Sequence, residues 1–174
     1  MTPRTILIAA VLCIFFAIIA IQRARAQAHV ESKSYDIMLS TLLTHSVPEI
    51  EVTKAAADST VIYLDARERP EYQVSHIPSA IWVGYDDFQL SRLAGVPKDA
   101  PVVVYCSVGY RSEKITEKLR QAGYTQVSNL YGGIFEWVNR GNTVVDANNA
   151  TTTKVHAYSK SWGVWLEKGE KVYQ

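Results

Sequence analysis

The stretch PVVVYCSVGYRSEKITEKL, residues 101–119, joins a run of β-branched residues to a segment with helical spacing through a short loop that begins at a cysteine. The run VVVY has the composition of a buried strand, and the spacing after the loop predicts a helix from about Arg111 to Ala122. Gly123 follows as a suitable residue to end that helix. Cys106 is therefore expected at the carboxyl end of a strand, where parallel sheets carry their ligand-binding loops.

The same alternation of strand and helix continues on both sides of this stretch. Short strands are predicted at EIEV (49–52), VIYLDA (61–66), after the turn at Pro78, at VVVYC (102–106) and at TQVSNL (125–130). Helical segments separate them, and connections this short between parallel strands place helices on both faces of the sheet. The sequence therefore predicts one α/β domain with a mainly parallel sheet.

The N-terminus carries a separate signal. Residues 6–21 are apolar apart from one cysteine. This segment is shorter than a comfortable membrane span of ~20 residues but longer than most signal-peptide cores. Two interpretations remain open. Small residues at 24–28 suit cleavage of a signal peptide, whereas Arg4 in front and Arg23 and Arg25 behind suit an uncleaved membrane anchor. Both place the rest of the chain outside the cytoplasm, as a periplasmic or secreted domain.

Composition divides the chain into four parts. These are a signal peptide or membrane anchor (1–28), an amphipathic helix or linker (29–47), the α/β domain (48–142), and a polar linker with an aromatic C-terminal tail (143–174). We expect the tail to pack back onto the domain through Tyr158, Trp162 and Trp165. The alternative is that these aromatic side chains bind a protein partner.

Charge and cysteine content exclude several classes of function. Without Arg4, Arg23 and Arg25 the chain has 15 basic and 17 acidic residues, so it has no electrostatic reason to bind nucleic acid. Cys13 lies in the apolar segment, which leaves Cys106 as the single thiol of the remaining chain. Neither an intramolecular disulfide nor a cysteine-rich metal site can form there. Because the histidines show no ligand spacing, we predict no metal and no organic cofactor.

The loop after Cys106 has the residue types of an anion-binding cradle. Backbone N–H groups of a tight loop and of the first turn of a helix converge on one spot and stabilise negative charge there. Such a cradle favours a thiolate and an anionic substrate. Gly109 lets the loop curl, and Arg111 adds a planar guanidinium suited to oxyanions. The alternative is that Cys106 is a buried and inert cysteine.

Five segments between residues 49 and 141 resemble, in order and in spacing, the single-domain rhodaneses, a sulfurtransferase family. They are LDARE (64–68), EYQVSHIPSAI (71–81), YCSVGYRS (105–112), LRQAGY (119–124) and LYGGIFEW (130–137). One departure is Ser75, where the family usually has glycine before the histidine. The resemblance implies a rhodanese-like three-layer fold with a central, mainly parallel five-stranded sheet and helices on both faces.

The resemblance also implies a persulfide mechanism. Cys106 would take the outer sulfur from a small anionic donor such as thiosulfate and pass it to a thiol or to cyanide. Asp65 and Arg67 are expected to form a structural charge pair near this loop. The ring of Tyr110 is expected at the mouth of the pocket, where it either narrows access or contacts the acceptor. The residues implied to bind substrate are Ser107, Val108, Gly109, Tyr110, Arg111 and Ser112.

Two other functions remain open. Phosphatase relatives of the rhodaneses hold phosphate in a loop with five residues between cysteine and arginine. Only four residues separate Cys106 from Arg111, and this smaller cradle favours a sulfur atom over a tetrahedral phosphate. The second alternative is a non-catalytic docking or sensor module at the membrane, which the amphipathic helix and the aromatic tail would suit.

Overall fold

The structure is a computed structural model that describes residues 28–173. The segment predicted to be a signal peptide or membrane anchor lies, up to residue 27, outside the described residues. Within the described part of the chain, no helix combines the length and the apolar character that crossing a membrane requires.

A five-stranded sheet forms the centre of the domain. Its strands are β1 (Glu49–Ile50), β2 (Ile62–Asp65), β3 (Ile81–Trp82), β4 (Val102–Tyr105) and β5 (Val127–Leu130). They lie in the order β1-β5-β4-β2-β3, and every neighbouring pair is parallel. All four residues of the central strand β4 are buried, as its β-branched sequence predicts. The predicted α/β fold with a parallel sheet is confirmed.

Helices cover both faces of this sheet, which gives the expected three layers. On one face, Ile115 and Leu119 of the fourth helix pack with Val104 of β4. On the other face, the first, second and fifth helices pack against Val103 and Tyr105 of the same strand. The helices are α1 (Lys33–Leu42), α2 (Val52–Ala57), α3 (Arg69–Val74), α4 (Tyr110–Gln121) and α5 (Gly133–Asn139), with 3₁₀ turns at Leu90–Leu93 and Gly163–Trp165.

Helix α4 ends where the sequence predicts. Gly123 has a φ of +93°, a left-handed conformation that glycine adopts without steric cost. Its N–H donates to the carbonyl oxygen of Arg120 at 3.0 Å, and the N–H of Tyr124 donates to that of Leu119 at 3.1 Å. These bonds satisfy carbonyl groups that the last turn would otherwise leave unpaired.

The C-terminal segment folds into two small sheets. Strands β6 (Val144–Val145) and β7 (Thr151–Thr152) pair antiparallel within the segment predicted to be a polar linker. In the turn between them, Asp146 Oδ1 accepts hydrogen bonds from the backbone N–H groups of Asn148 and Ala150. Strands β8 (Lys154–His156) and β9 (Glu170–Val172) pair parallel. The ring of Trp165 stacks on Tyr35 of α1 with centroids 5.3 Å apart. The tail therefore packs back through Trp162 and Trp165, as expected, whereas the Tyr158 side chain is 53% exposed.

Candidate active site

Cys106 follows directly after β4, the central strand of the sheet. Its side chain is only 1% exposed, and its Sγ accepts a hydrogen bond from the backbone N–H of Gly109 at 3.1 Å. Gly109 is the N-cap of α4 and has a φ of +125°, which favours glycine. The loop thus directs a backbone N–H and the positive end of α4 toward the sulfur, which stabilises negative charge there.

The first turn of helix α5 supports this loop through two backbone hydrogen bonds. The N–H of Ile134 donates to the carbonyl oxygen of Cys106 at 2.9 Å, and the N–H of Phe135 donates to that of Ser107 at 3.1 Å. First-turn N–H groups lack partners inside their own helix, so the loop carbonyls satisfy them. The approach is this close because Gly133, the first residue of α5, has no side chain. The sequence predicts a turn at Gly133 but does not reveal this contact.

Ser112 and Asn129 form a buried hydrogen-bond network beside the cysteine. The Oγ of Ser112 lies 2.7 Å from Asn129 Oδ1, 3.1 Å from the Gly109 carbonyl oxygen and 3.5 Å from Cys106 Sγ. Its single hydrogen serves one acceptor at a time. Asn129 Nδ2 donates to the Gly109 carbonyl oxygen at 3.1 Å and so fixes the loop. Sequence reasoning misses Asn129, although a polar residue inside an otherwise buried strand is the available signal.

Arg111 is held by Glu71 in a two-point ion pair. Its Nη1 donates to Oε2 at 2.6 Å and its Nη2 donates to Oε1 at 2.8 Å. The Arg111 Nη2 also donates to Ser107 Oγ at 3.1 Å. Glu71 lies in the first turn of α3, where its Oε2 accepts the backbone N–H of Glu68 at 3.0 Å. Sequence reasoning misses Glu71 as a site residue; this capping box is its local signal, but it does not reveal the partner.

Replacing Glu71 with glutamine is expected to lower the free energy of unfolding by about 2 kcal/mol near pH 7. Burial alone would raise the pKa of Glu71, but the hydrogen bonds and charge of Arg111 outweigh burial and hold it below its ordinary value of 4.5. Because the folded-state pKa is lowered, the contribution is present above about pH 4.5 and is lost as the pH falls through the folded-state value. Urea unfolding from about pH 7 down to pH 3 measures this dependence.

The difference in stability between wild type and Glu71→Gln should therefore narrow below about pH 5. Glu51→Gln is the matched control, since its carboxylate is partly exposed and lies 3.5 Å from the ammonium of the exposed Lys54. This control should show a small difference at every pH. A Glu71→Gln difference that does not change with pH would contradict the role assigned to the ion pair.

Asp65 and Arg67 form a fully buried ion pair at the carboxyl end of β2. Arg67 Nη2 donates to Asp65 Oδ2 at 2.6 Å, and Arg67 Nε donates to Asp65 Oδ1 at 3.0 Å. Nη2 also donates to the carbonyl oxygen of Ser75 at 2.6 Å, and the guanidinium lies 5.6 Å from the ring centroid of Tyr105 in β4. The pair thus connects β2 to β4 and to the end of α3.

Replacing Asp65 with asparagine is expected to cost about 3 kcal/mol in the free energy of unfolding, because it leaves the charge of Arg67 buried without a counter-ion. The matched control is Asp87→Asn, which removes a half-exposed carboxylate 2.7 Å from Arg92 and should cost much less, because solvent screens an exposed ion pair. Urea unfolding of both variants measures the two costs. Equal costs would show that the buried pair contributes no more to the free energy of unfolding than the surface pair does.

A cavity of about 360 Å³ opens onto the cysteine. Four residues of the predicted site do not line the cavity. Gly109 N and Ser112 Oγ lie 3.1 and 3.5 Å from Cys106 Sγ. Asp65 and Arg67 are likewise absent from the cavity wall. Among residues 28–173, no group of three or more His, Cys, Asp or Glu side chains is placed to hold a metal ion. The sequence-predicted residues that line the cavity are Cys106, Ser107, Val108, Tyr110 and Arg111.

The remaining walls include residues from outside the central sheet. Leu42 of α1 lines one side, and Tyr158 and Trp162 of the C-terminal segment line another. The guanidinium of Arg111 lies over the Tyr158 ring, 5.1 Å from its centroid. The tail therefore contributes side chains to the candidate site in addition to packing on the domain.

Comparison with known protein families identifies this arrangement. The family model described as the rhodanese-like domain matches residues 50–140, which is more than half of the chain. The chain belongs to the rhodanese-like domain family. The matched residues of this rhodanese-like domain include the whole cysteine loop and both supporting groups, Glu71 and Asn129. They exclude α1 and everything after residue 140, including β6.

Known relatives of the rhodanese-like domain differ in size. A sulfurtransferase of Allochromatium vinosum is 32% identical over 104 residues, which cover 59% of this chain and 96% of that protein. A tRNA uridine(34) hydroxylase of Sodalis glossinidius is 34% identical over 101 residues, which cover 55% of this chain but only 29% of that protein. This chain thus spans less than a third of the hydroxylase.

A solved structure supports the fold. The crystal structure of a Bacillus halodurans protein superimposes with a TM-score of 0.53 at 22% identity, covering 66% of this chain and 85% of that chain. At this identity the likeness concerns the fold alone.

Proposed function

We propose that this rhodanese-like domain is a sulfurtransferase that carries sulfane sulfur as a persulfide on Cys106. One observation supports this more than any other. The buried thiol lies at the cavity, and the N–H of Gly109 at the start of α4 donates to its Sγ at 3.1 Å. An anion on this sulfur is stabilised by the same N–H and by the helix dipole, which favours both the attacking thiolate and the persulfide that follows.

The first half of the proposed reaction loads the enzyme. The Cys106 thiolate attacks the outer sulfur of thiosulfate, a new S–S bond forms, and the old S–S bond breaks as its electron pair leaves with sulfite. The product is the anion Cys106–S–S⁻. In the second half, a thiolate or cyanide attacks the outer sulfur, and the electron pair of the breaking bond returns to Cys106. One cysteine completes the cycle, so no second thiol is required.

Of the loop residues 107–112, the proposed substrate contacts are Ser107, Val108, Tyr110 and Arg111, which line the cavity. Gly109 and Ser112 lie within hydrogen-bond distance of Cys106 Sγ instead. Arg111 contributes a guanidinium whose direction is fixed by Glu71, with a side chain that is still 13% exposed. Tyr110 is 43% exposed and lines the cavity, where we propose that its ring contacts the acceptor. The neighbouring Ser107 and Val108 also line the cavity.

The test is the intact mass of the purified full chain before and after incubation with thiosulfate. A gain of one sulfur atom, removed again by cyanide and located on the Cys106 peptide, is the expected result. Absence of the gain, with the thiol shown to react with a small alkylating reagent, would overturn the proposal in favour of a binding module or phosphoryl chemistry.

We also propose that the domain acts outside the cytoplasm, since residues 6–21 have the composition of an export segment. Protease treatment of intact spheroplasts tests this proposal. A chain that is digested without lysis is expected, and a chain that is protected until lysis would contradict export.

A further inference from the structure

Four of the eleven residues that line the cavity are aromatic. Tyr85 and Tyr110 line it from the rhodanese-like domain, and Tyr158 and Trp162 line it from the C-terminal segment. Tyr158 is 53% exposed, so its ring is available at the surface of the cavity. Aromatic faces carry partial negative charge and attract cations within about 6 Å. The position of the Arg111 guanidinium over the Tyr158 ring shows this preference within the site.

Two carboxylates share the same cavity. Glu68 and Asp86 both line it, and the backbone N–H of Asp86 donates to Glu68 Oε1 at 3.3 Å, which places the two residues side by side. Arg111 is the single cationic side chain among the described residues that line the cavity. Its charge is compensated by Glu71 through two short hydrogen bonds. The charged side chains at this opening therefore carry net negative charge.

Different groups that line the cavity thus favour opposite charges. At Cys106 the Gly109 N–H and the start of α4 stabilise an anionic sulfur, whereas Glu68, Asp86 and the aromatic rings favour a cation. A ligand that suits both sets of groups carries a thiolate and a positively charged group. An acceptor with a carboxylate in place of that cation meets two carboxylates at the opening and is disfavoured.

We propose that the physiological sulfur acceptor is a small thiol that bears a protonated amine. This inference rests on the proposed function and adds to it the chemical class of the acceptor. The aminothiol, as thiolate, attacks the outer sulfur of the Cys106 persulfide. The bond between the two persulfide sulfurs breaks, its electron pair returns to Cys106, and the aminothiol leaves as a persulfide. The ammonium group takes no part in the bond changes and serves to bind.

The experiment follows the second half-reaction alone, so that donor binding does not affect the result. The full chain is loaded with excess thiosulfate, desalted, and mixed with each of three thiols. These are cysteamine, which is cationic, 2-mercaptoethanol, which is neutral, and 3-mercaptopropionate, which is anionic. Loss of the added sulfur is followed by intact mass, and each rate constant is divided by that of 2-mercaptoethanol after correction for the fraction of thiolate.

Wild type is expected to prefer cysteamine over 3-mercaptopropionate. The ratio of their rate constants should fall about tenfold in the double variant Glu68→Gln, Asp86→Asn, since each of the two carboxylates contributes a modest attraction or repulsion. Added salt should lower the ratio in wild type and leave it nearly unchanged in the double variant. Tyr158→Leu keeps the apolar wall but removes the aromatic face, and should lower the ratio about threefold.

Asp87→Asn is the matched control, because Asp87 is adjacent in sequence, is paired with Arg92 and does not line the cavity. Its ratio should equal that of wild type. If the double variant is unstable, Asp86→Asn alone replaces it, since the exposed Asp86 caps no helix.

Three results would overturn the inference. They are equal normalised rates for the three thiols in wild type, an unchanged ratio in the carboxylate variants, or an equal fall in Asp87→Asn. In each of these cases the persulfide still forms on Cys106 and the proposed function stands. If no thiosulfate sulfur is ever found on Cys106, the proposed function itself fails and the inference fails with it.

Discussion

Replacing Cys106 with serine is expected to reduce sulfur transfer from thiosulfate to cyanide by at least about 10³-fold. A serine hydroxyl is not ionised near neutral pH and cannot form a persulfide, so the loading step has no nucleophile. The loop itself should persist. The hydroxyl is close in size to the thiol and can accept the Gly109 N–H that now donates to Sγ at 3.1 Å.

Turnover is measured as thiocyanate formed at saturating thiosulfate, beside a thermal unfolding curve for each protein. The matched control is Cys13→Ser, which removes the other cysteine of the sequence and should retain turnover. Appreciable activity in Cys106→Ser, or a loss in Cys13→Ser of the same size, would contradict the assignment of Cys106 as the sulfur carrier.

Much of the fold could be predicted from the sequence because its signals are local. One short stretch contains the buried strand VVVY, the loop that begins at Cys106 and the glycine that ends α4. Each of these features is predicted by the residue types next to it. The resemblance to rhodaneses then implies the three layers and the five-stranded sheet. Strand and helix positions agree with the structure to within a few residues, as expected where terminal turns fray.

The supporting half of the site depends on contacts between distant residues and could not be predicted in the same way. Glu71 is 40 positions from Arg111, and Asn129 is 17 positions from Ser112. Nothing in the local sequence around either supporting residue shows which loop it faces. Their signals, a capping pattern and a polar residue in a buried strand, indicate that each is unusual without identifying its partner.

The C-terminal segment shows a second limit. Its strands are two or three residues long, which is too short for a periodic pattern to emerge, and the polar turn at Asp146 resembles a linker in composition. Packing onto α1 through Trp165 nevertheless fixes the segment and brings Tyr158 to the cavity. The part of the site that distinguishes this chain from the matched family segment is therefore the part that sequence patterns reveal least.

Replacing Gly133 with alanine is expected to destabilise the domain by about 4 kcal/mol and to prevent persulfide loading. Two costs add. Gly133 has a φ of +57°, which strains any residue with a side chain. A Cβ atom there would also lie 2.5 Å from the carbonyl oxygen of Cys106 and 2.6 Å from that of Ser107. These are backbone atoms, so they cannot move aside without displacing the cysteine loop.

Gly141→Ala separates the two costs. Gly141 has a φ of +82°, but a Cβ atom there meets nothing within 4 Å, so only the conformational strain of about 1 kcal/mol remains. Urea unfolding gives both costs, and intact mass after thiosulfate gives the loading. If Gly133→Ala unfolds entirely while Gly141→Ala folds, the two costs together exceed about 4 kcal/mol. If the two variants are equally stable and both load sulfur, helix α5 does not hold the loop, and the support of the Cys106 carbonyl must come from elsewhere.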